Sequence, residues 1–290
     1  MEFYLQAFQL SLCLASMCMG VFISMKIFNI PDITTDGSYT LGAAVTAVLL
    51  TNHYSMIIVI TASIIMGALA GMLTGLIHTK LKIDALLAGI LVMTGLYSVN
   101  LVILGRSNVP LIGTASIFRQ LIFFQNETYN NLIIAFIVIL LLLIIITFIL
   151  KTDFGIAMRA TGNSETMTRA LGINNNKMKI IGLAIANALT ALSGCLVAQY
   201  QNFTDISMGI GIVITGLGSV LIANALKNWF KVKSIAANLV LVITGSLVFQ
   251  MVLAVTLASG VDPNLLKLVT AIFVLLIVAL PVLSNRLKNK

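Results

Sequence analysis

Two aspartates, Asp32 and Asp36, stand four residues apart in the segment Pro31 to Ser38, among the hydroxyls of Thr34, Thr35 and Ser38. Side chains of this kind suit a break between helices, where short polar groups satisfy freed backbone and carboxylates cap helix starts. The same set suits an unwound stretch that lines a path through a membrane, because irregular backbone survives at that depth only beside protein or water. Both readings fit the residues. The other chemically capable groups narrow the field by their poverty. His53 and His78 have no second histidine at ligand spacing, which leaves no metal site. Cys13, Cys18 and Cys195 lie within apolar runs and read as small core residues. No G-x-x-x-x-G-K-[ST] phosphate loop occurs, so the chain does not cradle ATP itself. With no nucleophile, metal cluster or acid–base constellation, an integral membrane enzyme is disfavoured.

What remains is hydrogen-bonding chemistry inside apolar segments. Tyr97, Asn100, Asn187, Gln199, Gln201, Asn224 and Gln250 all fall in such segments. An amide left unpaired in hydrocarbon costs several kcal/mol, so each must find a partner, and bonds between helices account for most of them. Tyr97, Asn100, Gln199 and Gln201, near helix ends in repeated regions, are the candidates for contact with a solute. Asp32, Thr34, Asp36 and Ser38 join them as a candidate translocation path.

These groups must be positioned by helices in a bilayer. Of 290 residues, 59% are hydrophobic and 9% charged, and the mean hydropathy is +1.08. A soluble domain carries roughly 25% charged residues, so lipid must be the solvent for most of this surface. Runs such as Leu132 to Leu150 are continuously apolar, which excludes the alternating strands of a barrel and leaves helices. The expected fold is therefore an all-α, polytopic transmembrane bundle of about nine spans (eight to ten), forming a single domain over residues 1–290. The candidate spans are 3–25 (a retained first span), 39–51 (short), 55–79, 84–104, 132–150, 178–200, 207–226, 235–257 and 265–284. Pro31, Asp32, Asp36 and Gly37 punctuate the first break, and Asp262, Pro263 and Asn264 the last.

Charge sets the orientation. Of the 17 cations, 13 fall in alternate loops: Lys80 and Lys82; Lys151, Arg159, Arg169, Lys177 and Lys179; Lys227, Lys231 and Lys233; Arg286, Lys288 and Lys290. Cations gather in cytoplasmic loops, which places residues 151–177 and the C-terminus in the cytoplasm. The net charge of +8 is explained by this bias and needs no nucleic acid. The segment Asp84 to Val99 is echoed 121 residues later by Asp205 to Val220, the first ending Thr94-Gly95-Leu96-Tyr97-Ser98-Val99 and the second Thr215-Gly216-Leu217-Gly218-Ser219-Val220. On this topology the copies run in opposite directions, the inverted repeat common in transporters. Gly67, Gly71 and Gly75 recur every four residues and allow a neighbouring helix to approach closely.

Lys151 to Lys179 is the long cytoplasmic segment, too polar to span. Residues 154–161 and 164–171 read as short helices joined at Gly162-Asn163. Ser164 caps the second, Glu165 sits in its first turn and Gly172 ends it. Met167, Ala170 and Leu171 form a narrow apolar stripe that suits either a groove in a partner protein or the membrane surface.

Here the sequence resembles a known family. Met158-Arg159-Ala160, Thr161-Gly162-Asn163 and Ala170-Leu171-Gly172-Ile173-Asn174 are similar to the cytoplasmic loop of binding-protein-dependent permeases of the branched-chain amino acid and ribose superfamily. Asn29 to Ser38, Leu96 to Asn100, Ser107 to Leu111 and Ala198 to Gln201 extend the likeness over roughly residues 27–225, toward its tryptophan/tyrosine-type members. The resemblance implies an importer permease that works by alternating access as a homodimer in the bacterial cytoplasmic (inner) membrane. It implies a substrate-binding protein outside and a cytoplasmic ATPase dimer that carries the ATP and Mg, with no cofactor on this chain. It also implies that Arg159, Ala160, Thr161, Gly162, Asn163, Glu165, Met167, Ala170, Leu171 and Gly172 form a coupling helix on that ATPase. One departure is Asn224-Ala225-Leu226, where relatives often keep a Gly-rich turn. The rival class is an ion-coupled secondary transporter, which would want a charged residue within its spans.

Overall fold

The structure, a computed structural model, describes residues 2–232, 234–262 and 265–288. Lys233, Pro263, Asn264 and Lys290 of the sequence reading lie outside them. The chain is helical, in chain order α1 (Glu2–Phe22, continued by a π-turn, Ile23–Ile27), α2 (Thr34–Thr51), α3 (Met56–Lys80), α4 (Ala85–Leu104), α5 (Ile117–Gln120), α6 (Glu127–Lys151), α7 (Asp153–Asn163), α8 (Glu165–Ala170), α9 (Asn175–Gln201), α10 (Ile212–Phe230), α11 (Ile235–Ala258) and α12 (Leu266–Lys288). Among the described residues seven helices are long and apolar enough to cross a membrane: α1 with its π-turn, α3, α4, α6, α9, α10 and α11. The chain is thus an all-α polytopic membrane protein.

Helices α1 and α9 are buried along most of their length, whereas α3, α4, α6 and α10 keep most of their surface at the periphery. The reason is written in α9, whose Gly182, Ala184, Ala186, Ala191, Ser193, Gly194 and Ala198 bring neighbouring backbones close. It packs against α1, α2 and α3. The glycine stripe of α3 faces this helix. A Cβ on Gly71 would collide with the Leu183 carbonyl, one on Gly67 with Ala191 and the Asn187 carbonyl, and one on Gly75, less severely, with Ile180. Hydroxyls tie the central helices together. Ser16 donates to the Leu189 carbonyl at 2.7 Å, Ser193 to Cys13 at 2.8 Å, and Ser246 of α11 to Ser11 at 3.0 Å. The three cysteines are buried and free.

Element boundaries differ from the sequence reading at several places. The unwound stretch expected over residues 31–38 is shorter, because Asp32 Oδ1 accepts from Thr34 N at 2.9 Å and helix α2 begins at Thr34. The span expected from 207 begins instead at Ile212. Turns closed by Met208, Ile210 and Ile212 N–H groups precede it, and Gly211 at φ +82° cannot continue a right-handed helix. Lastly, Asn108–Pro110 (β1) and Phe203–Asp205 (β2) form a two-stranded antiparallel ribbon, with Asn108 opposite Asp205. The ribbon joins the far ends of α4 and α9, at the opposite end of the bundle from α7 and α8. In that loop the Asp205 carboxyl is held below the usual carboxylate range, chiefly by the Ser207 hydroxyl.

Candidate functional site: a clamped loop and a buried junction

The polar unit begins where α6 ends. Thr152 caps α7, its hydroxyl accepting from Gly155 N at 3.4 Å. Ser164 caps α8, accepting from Met167 N at 3.3 Å, and Gly172 at φ +80° closes the loop. These local features follow the sequence reading closely. Thr161 is buried on the inner face of α7, Arg159 and Ala160 are half-buried, and Asn163 is exposed.

Gly162 lies within α7 rather than between the two short helices, and it is where the loop meets the core. A Cβ there would overlap the Ile27 carbonyl oxygen, and Asn29 Nδ2 donates to the Gly162 carbonyl at 3.1 Å. The backbone of α7 therefore rests directly on the chain linking α1 to α2. On its other side α8 is fixed to the start of α9. Thr168 donates to Asn175 Oδ1 at 2.8 Å, Asn175 Nδ2 donates to the Glu165 carbonyl at 2.7 Å, and Lys179 pairs with Glu165 at 2.6 Å. Thr168 and Asn175 are buried, so α8 is a braced element. Its apolar stripe nonetheless points outward: Met167 and Leu171 are 65% and 68% exposed, and Ala170 and Gly172 are exposed beside them. Bracing on one face with bare apolar side chains on the other suits either a groove in a partner or the membrane surface.

The α1–α2 junction carries a second constellation, fully buried. Asn187 of α9 is its centre: Nδ2 donates to Asp32 Oδ2 at 2.7 Å and to the Leu183 carbonyl at 3.0 Å, and Oδ1 accepts from Ser38 at 2.6 Å. Thr34 and Thr74 share a hydrogen bond of 2.7 Å, tying α2 to α3. Asp32 thus both caps α2 and is held by α9. Asn187 stood among the polar residues within spans but was not singled out for the path. In one sequence it reads like any amide that finds an interhelical partner.

Asp36 is also a cap, for a helix far along the chain. Its Oδ2 accepts from Gly211 N at 2.8 Å and its Oδ1 from Val213 N at 2.9 Å, so it seats the start of α10. It borders a cavity of about 350 Å3 that Tyr97, Ser98, Asn100, Met93 and Ile206 also line. Asn100 donates Nδ2 to the Gly37 carbonyl at 3.1 Å, while its buried Oδ1 has no partner among the described residues. Three sequence candidates, Asp36, Tyr97 and Asn100, therefore meet at one cavity, and Asp32, Thr34 and Ser38 meet at the junction beside it. Gln199 does neither: its Oε1 accepts from Ile117 N at 2.8 Å and pins α5 to α9. Gln201 is exposed at the end of α9. Among the described residues no group of three or more His, Cys, Asp or Glu is placed to hold a metal ion.

Residues 3–280 match the family model described as the branched-chain amino acid transport system / permease component. The chain is 38% identical over 279 residues to the tyrosine transport system permease protein of Clostridioides difficile, covering 96% of this chain and 91% of that one. It is 32% identical to the uncharacterized protein RP368 of Rickettsia prowazekii, covering 94% of this chain and 95% of that one. It is 25% identical over 194 residues to the ribose import permease protein RbsC of Haemophilus influenzae, covering 66% of this chain and 59% of that one. No solved structure gives a significant match. Matched almost end to end, the chain belongs to the branched-chain amino acid transport system permease family, whose members are transport components and not enzymes.

Proposed function

We propose that this chain is the membrane-spanning subunit of an ATP-binding-cassette importer that moves an amino acid, of the aromatic class, inward by alternating access. The observation that carries the coupling part is the braced helix α8, whose exposed Met167 and Leu171 stand on a loop interlocked with the α1–α2 junction through Gly162. A cytoplasmic ATPase dimer, holding ATP and Mg, engages this face, and residues 151–177 serve as the coupling loop. Movement of α8 passes through α7 to Ile27–Asn29, and from there to the Asp32–Asn187 junction that holds α2 against α9. Because the contacts at Gly162 are backbone to backbone, the motion is transmitted with little loss to side-chain slack.

The aromatic amino acid follows the similarity to the tyrosine transport system permease and the cavity lined by Tyr97 and Asn100. The remaining parts of the reading are nine spans, counting α2 and α12, an inverted repeat relating the α4 and α10 regions, and a cytoplasmic C-terminus in the bacterial inner membrane. A second permease copy completes the pore, and an extracytoplasmic binding protein delivers the solute. The rival, an ion-coupled carrier, finds one observation in its favour, the buried carboxylate of Asp32. Both of its oxygens are already occupied by Thr34 and Asn187, which suits a structural cap better than a site that exchanges ions.

The test is uptake of radiolabelled tyrosine into proteoliposomes holding this chain and its ATPase, with the binding protein outside and ATP inside. Uptake should require ATP and persist in the presence of a protonophore and a sodium ionophore. Uptake that proceeds without ATP and collapses with the ionophores would establish the secondary carrier instead.

A further inference from the structure

Beside the coupling loop lies a second and larger cavity, of about 590 Å3, that the transport reading does not use. It opens between the π-turn of α1, the outer face of α7, the last turns of α10 and the first turn of α11. Lys26, Arg159 and Lys227 line it, and among the described residues no aspartate or glutamate does. Among the described residues none of these cations has a carboxylate partner; Arg159 Nε donates to the Gly155 carbonyl at 3.4 Å, and its terminal nitrogens face no acid. Asn224 and Asn238 line the same space. Among the described residues the buried Asn224 Nδ2 and Asn238 Oδ1 have no hydrogen-bond partner. With these atoms unpaired, each amide is free to present its NH2 group to the cavity. The 24-residue helix α11 starts here with no side-chain cap, leaving the N–H groups of its first turn free and the positive end of its dipole at the cavity edge.

Three unpaired cations, two amides that are orphaned without a ligand and a bare helix start call for one kind of guest: a compact anion with several acceptor oxygens. We propose that this cavity binds a phosphate group, carried either by an anionic phospholipid of the adjoining leaflet or by a free phosphate. Phe22, Ile27 and Ile235 in the lining leave room for the apolar part of a lipid next to the charged end. The site touches Arg159 and Gly162 of the coupling loop, so an occupied cavity braces α7 against α10 and α11. Assignment of the cavity to the cytoplasmic leaflet rests on the proposed orientation; binding itself does not.

The experiment uses the purified full chain in detergent without any ATPase, so its outcome is independent of the transport reading. Thermal stability is followed while phosphatidylglycerol, phosphatidylcholine or inorganic phosphate is titrated in. Phosphatidylglycerol should raise the midpoint and phosphatidylcholine, which carries its own cation, should not. A matching rise with inorganic phosphate assigns the source as free phosphate; a rise with phosphatidylglycerol alone assigns it to lipid. The variant K26Q/K227Q, which changes two side chains at the cavity mouth, should weaken the response about tenfold. Asn224→Leu, which removes an orphaned donor, should weaken it about threefold and is the second reading should the charge variant fold poorly. An equal response to phosphatidylcholine, no response to any of the three, or a response unchanged in both variants would overturn the proposal.

Discussion

Replacing Gly162 with leucine should reduce uptake to background while the chain still inserts in the membrane. At this position even a methyl group would occupy the place of the Ile27 carbonyl oxygen, and the next nearest atoms are also backbone. No side chain can swing aside, so α7 must withdraw from the α1–α2 junction. Overpacking of this kind costs about 1–3 kcal/mol, and the withdrawal also breaks the Asn29 bond to the Gly162 carbonyl. Because the contact joins α7 to the α1–α2 junction while α8 keeps its clamp to α9, ATP hydrolysis by the docked ATPase should continue when uptake is lost. Gly95→Ala is the matched control, since a Cβ there meets nothing within 4 Å, and it should leave uptake unchanged. Measuring both activities in proteoliposomes decides the matter, and retained uptake in the Gly162 variant would remove α7 from the transmission route.

Asn187→Leu should destabilise the bundle strongly. Leucine is nearly isosteric, so little space is lost or gained, but Asp32 Oδ2 loses its donor and the Ser38 hydroxyl loses the nearer of its two acceptors. Removing a hydrogen-bond partner from a buried polar group costs about 1–3 kcal/mol and more when the group is charged, because the oxygen stays buried without its donor. The expected result is a large fall in the thermal midpoint of the purified chain. The exchange Asp32→Asn with Asn187→Asp keeps a donor facing an acceptor and should recover most of the loss. A midpoint close to that of the unmodified chain in the Leu variant would show that the junction is not held by this bond.

The parts of this molecule that could be read from sequence are those decided within a few residues. Apolar runs marked the long helices, because hydropathy over about 20 residues is enough to require a span. Ser164 and Gly172 were legible as the start and stop of α8, because capping is settled by side chains one turn away. The glycine stripe of α3 announced a close neighbour but could not name it as α9. What stayed hidden depends on long-range contact. Asp36 read as a helix cap or a path residue, yet nothing local tells that the helix start it caps is at Gly211, 175 residues on. Asn187 carried no mark to separate it from Gln250 or Asn224. Gln199 looked like a path residue from its place near a helix end, while its partner is the backbone of a four-residue helix that no periodicity reveals. The β1–β2 ribbon, three residues on each side, is too short for alternation to register.

The central claim is that an ATPase drives this bundle through the exposed stripe of α8. The most direct measurement pairs Met167→Asp with Leu171→Asp in one chain. Both side chains face outward and neither braces the loop, so the fold and the Thr168–Asn175 clamp should survive. In proteoliposomes with ATPase and binding protein, ATP hydrolysis should lose its stimulation by solute and uptake should fall to background. Uptake at the unmodified rate in that double variant would contradict the account.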